Sequence, residues 1–264
     1  MDINPEFNHK RVKLIVEKSL EGEGISRGDA EYILRLDDPD DIKGVFSAAR
    51  HIRGRFFSNK IFFYGFIYFT TYCRNKCTFC FYRSSNRKSP RYRKTPDDVV
   101  SLAKTLKASG VHLVDLTMGE DPLIHGKQDF EELVDLVKKV REETDVPIMV
   151  SPGVVPRKIM RALYKAGADW YACYQETHNR VLYSKLRMDQ DYDRRMRAKK
   201  LAKQEGMLIE EGILLGVGES IQDRSDSIYH MKRLNAHQVR AMGFVPQPGT
   251  PMENQPRPSR LEEL

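Results

Sequence analysis

From Ile61 onward the chain alternates between short runs of β-branched and aromatic residues and longer stretches with helical periodicity. The runs predict strands over Ile61–Phe69, Leu113–Leu116, Ile148–Val150, Asp169–Tyr174, Ile209–Leu215 and Val239–Phe244. Helices are expected between them over Pro96–Ala108, Asp129–Glu143, Pro156–Ala166, Tyr192–Glu205 and Ile221–Leu234. Strands separated by helices of this length imply parallel βαβ crossovers, and so an α/β fold of the (β/α) TIM-barrel type. A closed barrel needs eight such units in roughly 250 residues, and only six strands are legible here. The alternatives are an open six-strand barrel or a barrel truncated at its C-terminal side. We expect truncation, because Ser259–Leu264 has the composition of the first turn of another helix.

Ahead of this alternation, residues from about Asn8 to Phe57 predict two or three helices, with Ser26 as one N-cap and Asp38 to Asp41 as another start. The expected division is an N-terminal helical extension over 1–57, a barrel core over 58–251, and a tail over 252–264. An apolar fraction of 40% in 264 residues suffices for a substantial core. The N-terminal Met1-Asp-Ile-Asn-Pro is polar and carries no targeting pattern. The longest apolar run, Ile61 to Thr71, falls short of the roughly 20 residues a membrane helix needs, so no membrane partner and a cytoplasmic location are expected.

The chemistry concentrates after the first strand. Cys73, Cys77 and Cys80 form C-x3-C-x2-C. Three thiolates can hold three irons of a cubane cluster and leave the fourth open to a small molecule. The competing readings are a zinc site, which usually brings a second ligand pair, and three unrelated core cysteines. No second C-x2-C or His pair is present, and His112, His125 and His178 are scattered. Phe79, just before the third cysteine, suits packing against an adenine ring, or is a core residue. Cys173, in a strand pattern, reads as a buried packing residue.

Polar groups recur at the C-terminal ends of the strands, where βα loops build sites in such folds. These are Met118–Asp121, Ser151–Gly153, Gln175–Thr177 and Gly216–Glu219. Glu120 could accept from an ammonium group, and Glu176 could instead cap a helix. The net charge of +7, with basic segments Arg83–Lys94 and Arg194–Lys200, raises nucleic-acid binding as an option. The first segment reads as a solvated loop and the second as a helix whose basic residues face water, so nucleic acid is not the expected partner.

The chain resembles the biotin synthase-like group of radical S-adenosylmethionine (SAM) enzymes, and within it the branch that isomerises L-lysine to 3-methylornithine in pyrrolysine biosynthesis. The stretches that carry the resemblance are Ile67–Cys73, Val114–Pro122, Pro147–Gly153, Tyr174–Thr177 and Phe244–Pro251. Where broad radical enzymes read Gly-Gly-Glu, this chain has Met118-Gly119-Glu120, a departure shared with that branch. The resemblance implies a [4Fe-4S] cluster on Cys73, Cys77 and Cys80, with SAM as the second cofactor. It also implies SAM contacts from Phe79, Glu120, Ser151, Glu176 and Arg195, the last paired with the SAM carboxylate. Asp115 and Arg240 would face a lysine substrate, with no catalytic side chain beyond the cluster and cofactor. A 5′-deoxyadenosyl radical would abstract a hydrogen from lysine, which fragments and recombines as the branched product. An electron donor such as flavodoxin or ferredoxin is implied as partner. Alternatives are another biotin synthase-like enzyme, such as a hydrogenase-maturation type, or a zinc- or nucleic-acid-binding protein. Biotin synthase itself would need ligands for a second cluster, and only Cys173 remains.

Overall fold

A computed structural model describes residues 7–128 and 130–263. The chain divides into two compact units: the N-terminal segment through Phe62 with Ser220–Tyr229, and Phe63–Glu219 with the chain from His230 onward.

The first unit is built on three helices, α1 (Lys10–Leu20), α2 (Arg27–Ile33) and α3 (Pro39–Phe57). Ser26 caps α2 through a capping box with Asp29, and Asp38 caps α3 ahead of Pro39, as their sequence positions predict. Val12, Val16 and Ala48 form the small core, with Phe7 packed against it. Gly44 is required there, since a Cβ would stand 2.3 Å from the Phe7 ring. Tyr229 donates to the Ile25 carbonyl at 3.1 Å and Arg27 pairs with Asp226, which brings Ser220–Tyr229 into this unit.

The second unit carries a six-stranded parallel sheet in sequential order: β1 (Tyr64–Thr70), β2 (Leu113–Met118), β3 (Ile148–Ser151), β4 (Ala168–Ala172), β5 (Leu208–Leu215) and β6 (Gln238–Gly243). The connecting helices are α4 (Pro96–Ala108), α5 (Pro122–His125), α6 (Glu131–Thr144), α7 (Arg157–Ala166), α8 (Arg180–Leu186), α9 (Tyr192–Gln204) and α10 (Ile221–Leu234), and α11 (Arg260–Glu263) follows β6. Every expected strand and helix is present. The expected start of α6 at Asp129 lies outside the described residues. Ile61–Phe63 stay outside β1 and are exposed. The two elements absent from the sequence reading, α5 and α8, have 4 and 7 residues, too short to show a helical period.

Alternation along each strand separates two environments. Ile67, Phe69, Val114, Leu116, Ile148, Val150, Tyr171 and Ile209 point toward the helices and build the main apolar core. The alternate positions, among them Phe66, Tyr68, Asp115, Thr117, Ser151, Glu210 and Arg240, face the concave side. The sheet curls, because side chains of its two edge strands meet: the Arg240 guanidinium of β6 lies 4.1 Å from the Tyr64 ring centroid of β1. The six strands form a curled, partial barrel.

α9 departs from expectation. Arg194–Lys200 was read as a water-facing basic stretch, but Arg195 and Lys199 are buried. Lys199 Nζ pairs with Glu211 and donates to Gln175 Oε1 at 2.9 Å, while Glu211 Oε1 accepts from the Gln175 and Gly212 amides at 2.7 and 2.9 Å. The ion pair ties α9 to β5. Removing one partner of a buried pair leaves an uncompensated charge, so Lys199→Met should destabilise the protein by about 3–5 kcal/mol. Urea denaturation of the variant, compared with that of the parent chain, measures this.

Candidate active site

The cysteine loop leaves the end of β1 and is held mainly by backbone carbonyls and buried charge. Arg91 donates to the carbonyls of Thr71, Tyr82, Arg83 and Asn86, the last three at 2.9, 2.6 and 3.2 Å. Arg93 makes a bidentate pair with the buried Asp121 at 2.7 and 2.8 Å and stacks 3.8 Å from the Tyr72 ring centroid. Asp121 also accepts from Thr70 at 2.6 Å and caps α5. The segment Arg83–Lys94 is therefore more than a solvated loop: the half-buried Arg91 and the more exposed Arg93 both brace the cysteine loop. That weakens its candidacy as a nucleic-acid surface.

Cys73, Cys77 and Cys80 all line one cavity of about 270 Å³ at the C-terminal ends of the strands. All three thiols are free. Burial pushes Cys80 up to about 12, with Cys77 adding to the shift, and burial also raises Cys73. Thiols so placed give up their protons only to a strongly cationic centre. Gln190 donates to Cys77 Sγ at 3.0 Å and Arg187 approaches it at 3.6 Å, N–H groups of the kind that stabilise charge on cluster sulfur. Gly119 opens the space beside Cys73, for a Cβ there would meet the Tyr72 carbonyl at 2.6 Å and Cys73 Cβ at 2.7 Å. Among the described residues, no three side chains of the zinc-binding types are placed to hold a single ion. Three converging sulfurs would need Zn–S contacts of about 2.3 Å. Three cysteines on the wall of one cavity are the donor set that a cubane cluster with one open iron takes.

The same cavity collects most of the residues expected around a cofactor, namely Phe79, Glu120, Ser151, Glu176 and Arg195, together with Asp115. Glu120 is buried, which alone would raise its pKa. The Val154 amide at 3.1 Å, the charges of His125 and Arg195, and Arg74 at 2.9 Å bring it below the usual range instead. Gly153, with φ of +76°, makes room for it, since a Cβ would come within 2.4 Å of Glu120 Cγ. Ser151 donates to Asp115 Oδ1 at 3.0 Å across neighbouring strands. Burial lifts Asp115 to about 7, opposed by the Ser151 and Thr117 hydroxyls.

Glu176 sits in the left-handed region with φ of 66° and accepts from Arg187 at 2.6 Å. Its amide and carbonyl bond to Gly212 and Leu214 of β5, so it is more than the helix cap its position allows. Arg187 in turn lies over the Phe79 ring at 5.4 Å. Arg195 donates from Nε to the Tyr174 carbonyl at 2.7 Å. Cys173 is buried in the main core, as read.

Arg240 does not line this cavity. It stands behind Phe66, with its guanidinium 5.6 Å from that ring, and pairs with Glu210. Glu210 accepts from Tyr174 at 3.0 Å, and Tyr174 and Phe66 are cavity walls. Sequence reasoning missed Arg74, Tyr174, Arg187, Gln190 and Glu210. The signal for Glu210 was present: consecutive glutamates at 210 and 211 in an apolar strand must face opposite sides.

A family model described as "Radical SAM superfamily" matches residues 67–228. The 3-methylornithine synthase of Methanosarcina barkeri (strain Fusaro / DSM 804) is 42% identical over 248 residues, covering 94% of this chain and 70% of the relative. The [FeFe] hydrogenase maturase subunit HydE of Thermotoga maritima is 30% identical over 91% of this chain and 68% of its own length. Among solved structures, the crystal structure of methylornithine synthase (PylB) superposes with a TM-score of 0.89 at 41% identity, covering 94% of this chain and 73% of that one. With a cavity that brings its cysteines and strand-end carboxylates together, this chain belongs to the radical SAM superfamily.

Proposed function

We propose that this enzyme isomerises L-lysine to 3-methylornithine. The observation that carries the reading is the cavity itself: three thiols share its wall with Asp115 and Arg195, and Arg240 stands directly behind it. The likeness to 3-methylornithine synthases selects the reaction among those such a cavity permits.

Cys73, Cys77 and Cys80 hold a [4Fe-4S] cluster. With SAM, the cluster supplies a 5′-deoxyadenosyl radical when both are bound. The protein's part is to bind and enclose. Glu120, kept ionised by its neighbours, accepts from the ammonium of SAM, and Arg195 meets its carboxylate. Ser151 and Glu176 line the same wall, and Phe79 offers its ring to adenine. Glu176 acts in part through Arg187, which it holds beside Cys77 and over Phe79.

On the substrate side, Asp115 faces an ammonium group and Arg240 a carboxylate, a charge pattern complementary to an amino acid. A radical fragmentation needs both pieces anchored, and the buried walls restrict water and side reactions. The electron arrives from a flavodoxin or ferredoxin.

Anaerobic reconstitution followed by SAM, a strong reductant and L-lysine should yield 5′-deoxyadenosine and 3-methylornithine, both read by mass spectrometry. Deoxyadenosine without methylornithine, on a reconstituted and reduced enzyme, refutes the lysine reading. Binding should also depend on pH. With its pKa raised to about 7, Asp115 is charged only above that value, while the lysine α-ammonium stays protonated. Lysine KM should therefore rise as pH falls below about 7, by up to about tenfold per unit. Asp115→Asn should flatten that limb of the profile and weaken lysine binding on the alkaline side.

A further inference from the structure

Arg240 is held in an unusual way for a group meant to meet a ligand. Its Nε, not its terminal nitrogens, contacts Glu210 Oε1, and Glu210 is its one hydrogen-bonding partner among the described residues. Glu210 is fully buried on the concave face of β5 and is itself braced by the Tyr174 hydroxyl at 3.0 Å. The Tyr64 ring centroid lies 4.1 Å from the guanidinium, and the Tyr64 hydroxyl reaches the same Glu210 oxygen at 3.5 Å.

A guanidinium can take a carboxylate along its Nε edge or across its two terminal N–H groups. Glu210 occupies the first and leaves the second. We propose that Glu210, braced by Tyr174, is a positioning residue that holds Arg240 by Nε so that its terminal N–H pair receives the substrate α-carboxylate. The idea rests on the reading of Arg240 as the carboxylate anchor. Its physical basis is that a flexible arginine must give up rotamer freedom to bind, and a permanent buried partner removes that loss beforehand. Tyr174 connects the device to the cavity, since its hydroxyl braces Glu210, its ring lines the cavity, and its carbonyl accepts from Arg195.

The test is equilibrium binding of L-lysine and of L-lysinamide, which keeps both amines but lacks the carboxylate, to the reconstituted enzyme with SAM and no reductant. Glu210→Gln should weaken lysine about tenfold or more, in line with loss of a charged hydrogen bond, and leave lysinamide unchanged. Tyr174→Phe should shift lysine in the same direction by less. SAM affinity, measured alongside, should not move; the melting temperature of Glu210→Gln should fall, since one partner of a buried pair is lost, so binding is compared well below the transition. If Glu210→Gln weakens both ligands equally, Glu210 contacts the amine or only shapes the cavity, and the proposal is overturned. Arg240→Gln separates the two levels. Loss of the preference for lysine over lysinamide in Arg240→Gln, but not in Glu210→Gln, overturns the positioning role alone. An unchanged preference in Arg240→Gln overturns the anchor reading and the proposal with it.

Discussion

Everything in the second unit follows from a sheet with an apolar outer face and a charged inner one. Six parallel strands offer alternate residues to the helices, and those residues form one continuous apolar core. The remaining residues face a concavity in which Asp115, Glu210 and Arg240 are held against neighbours rather than water. Carboxylates in such a place are costly unless partnered. Ser151 partners Asp115, and Arg240 and Tyr174 partner Glu210. Burial lifts both carboxyls to about 7. Glu210 already has a guanidinium beside it, whereas Asp115 is held by the Ser151 hydroxyl, which leaves Asp115 the carboxylate able to gain a cationic ligand.

The cysteine loop depends on the same economy of charge. A loop carrying three thiols cannot be fixed by apolar packing alone without closing the space a cluster needs. It is held instead by arginines: Arg91 on four carbonyls, Arg93 on Asp121, and Arg74 on Glu120. Arg74 also donates its backbone amide to the Glu120 carbonyl at 3.0 Å, so the loops after β1 and β2 are knotted at both backbone and side chain. A basic composition that suggests a surface for phosphate is, in this part of the chain, engaged in holding the loop through carbonyls and carboxylates.

Most of this order was legible in the residues. Strand positions follow from β-branched and aromatic runs, helix starts from Ser26, Asp38 and Pro96, and the rim from polar residues at strand ends. What escaped depends on contacts far apart in sequence. Glu210 and Tyr64 are 146 residues apart, Arg187 and Cys77 are 110 apart, and no local pattern pairs them. Arg195 and Lys199 were legible as helix residues but not as buried ones, because a helix with so weak an apolar stripe gives no sign that its hidden face is charged. The short α8, which brings Arg187 and Leu186 against the cysteine loop, lies below the length at which periodicity speaks.

The position of Arg240 joins the binding chemistry to the fold. β1 and β6 are the edges of the sheet and share no strand pairing among the described residues, yet Arg240 bridges them by resting on Tyr64 and Phe66. Cation–π contacts of this kind contribute about 0.5–2 kcal/mol each, so one guanidinium supplies both edge-to-edge cohesion and a candidate anchor for substrate. Replacing Arg240 removes the two together, and loss of binding alone could not then be assigned to either. Glu210 meets Arg240 on its Nε side, and its contact with Tyr64 is only a long hydroxyl bond of 3.5 Å, so the ring contacts of the guanidinium do not run through it. The physical separation of those roles therefore lies in the carboxylate of β5 and not in the arginine it holds.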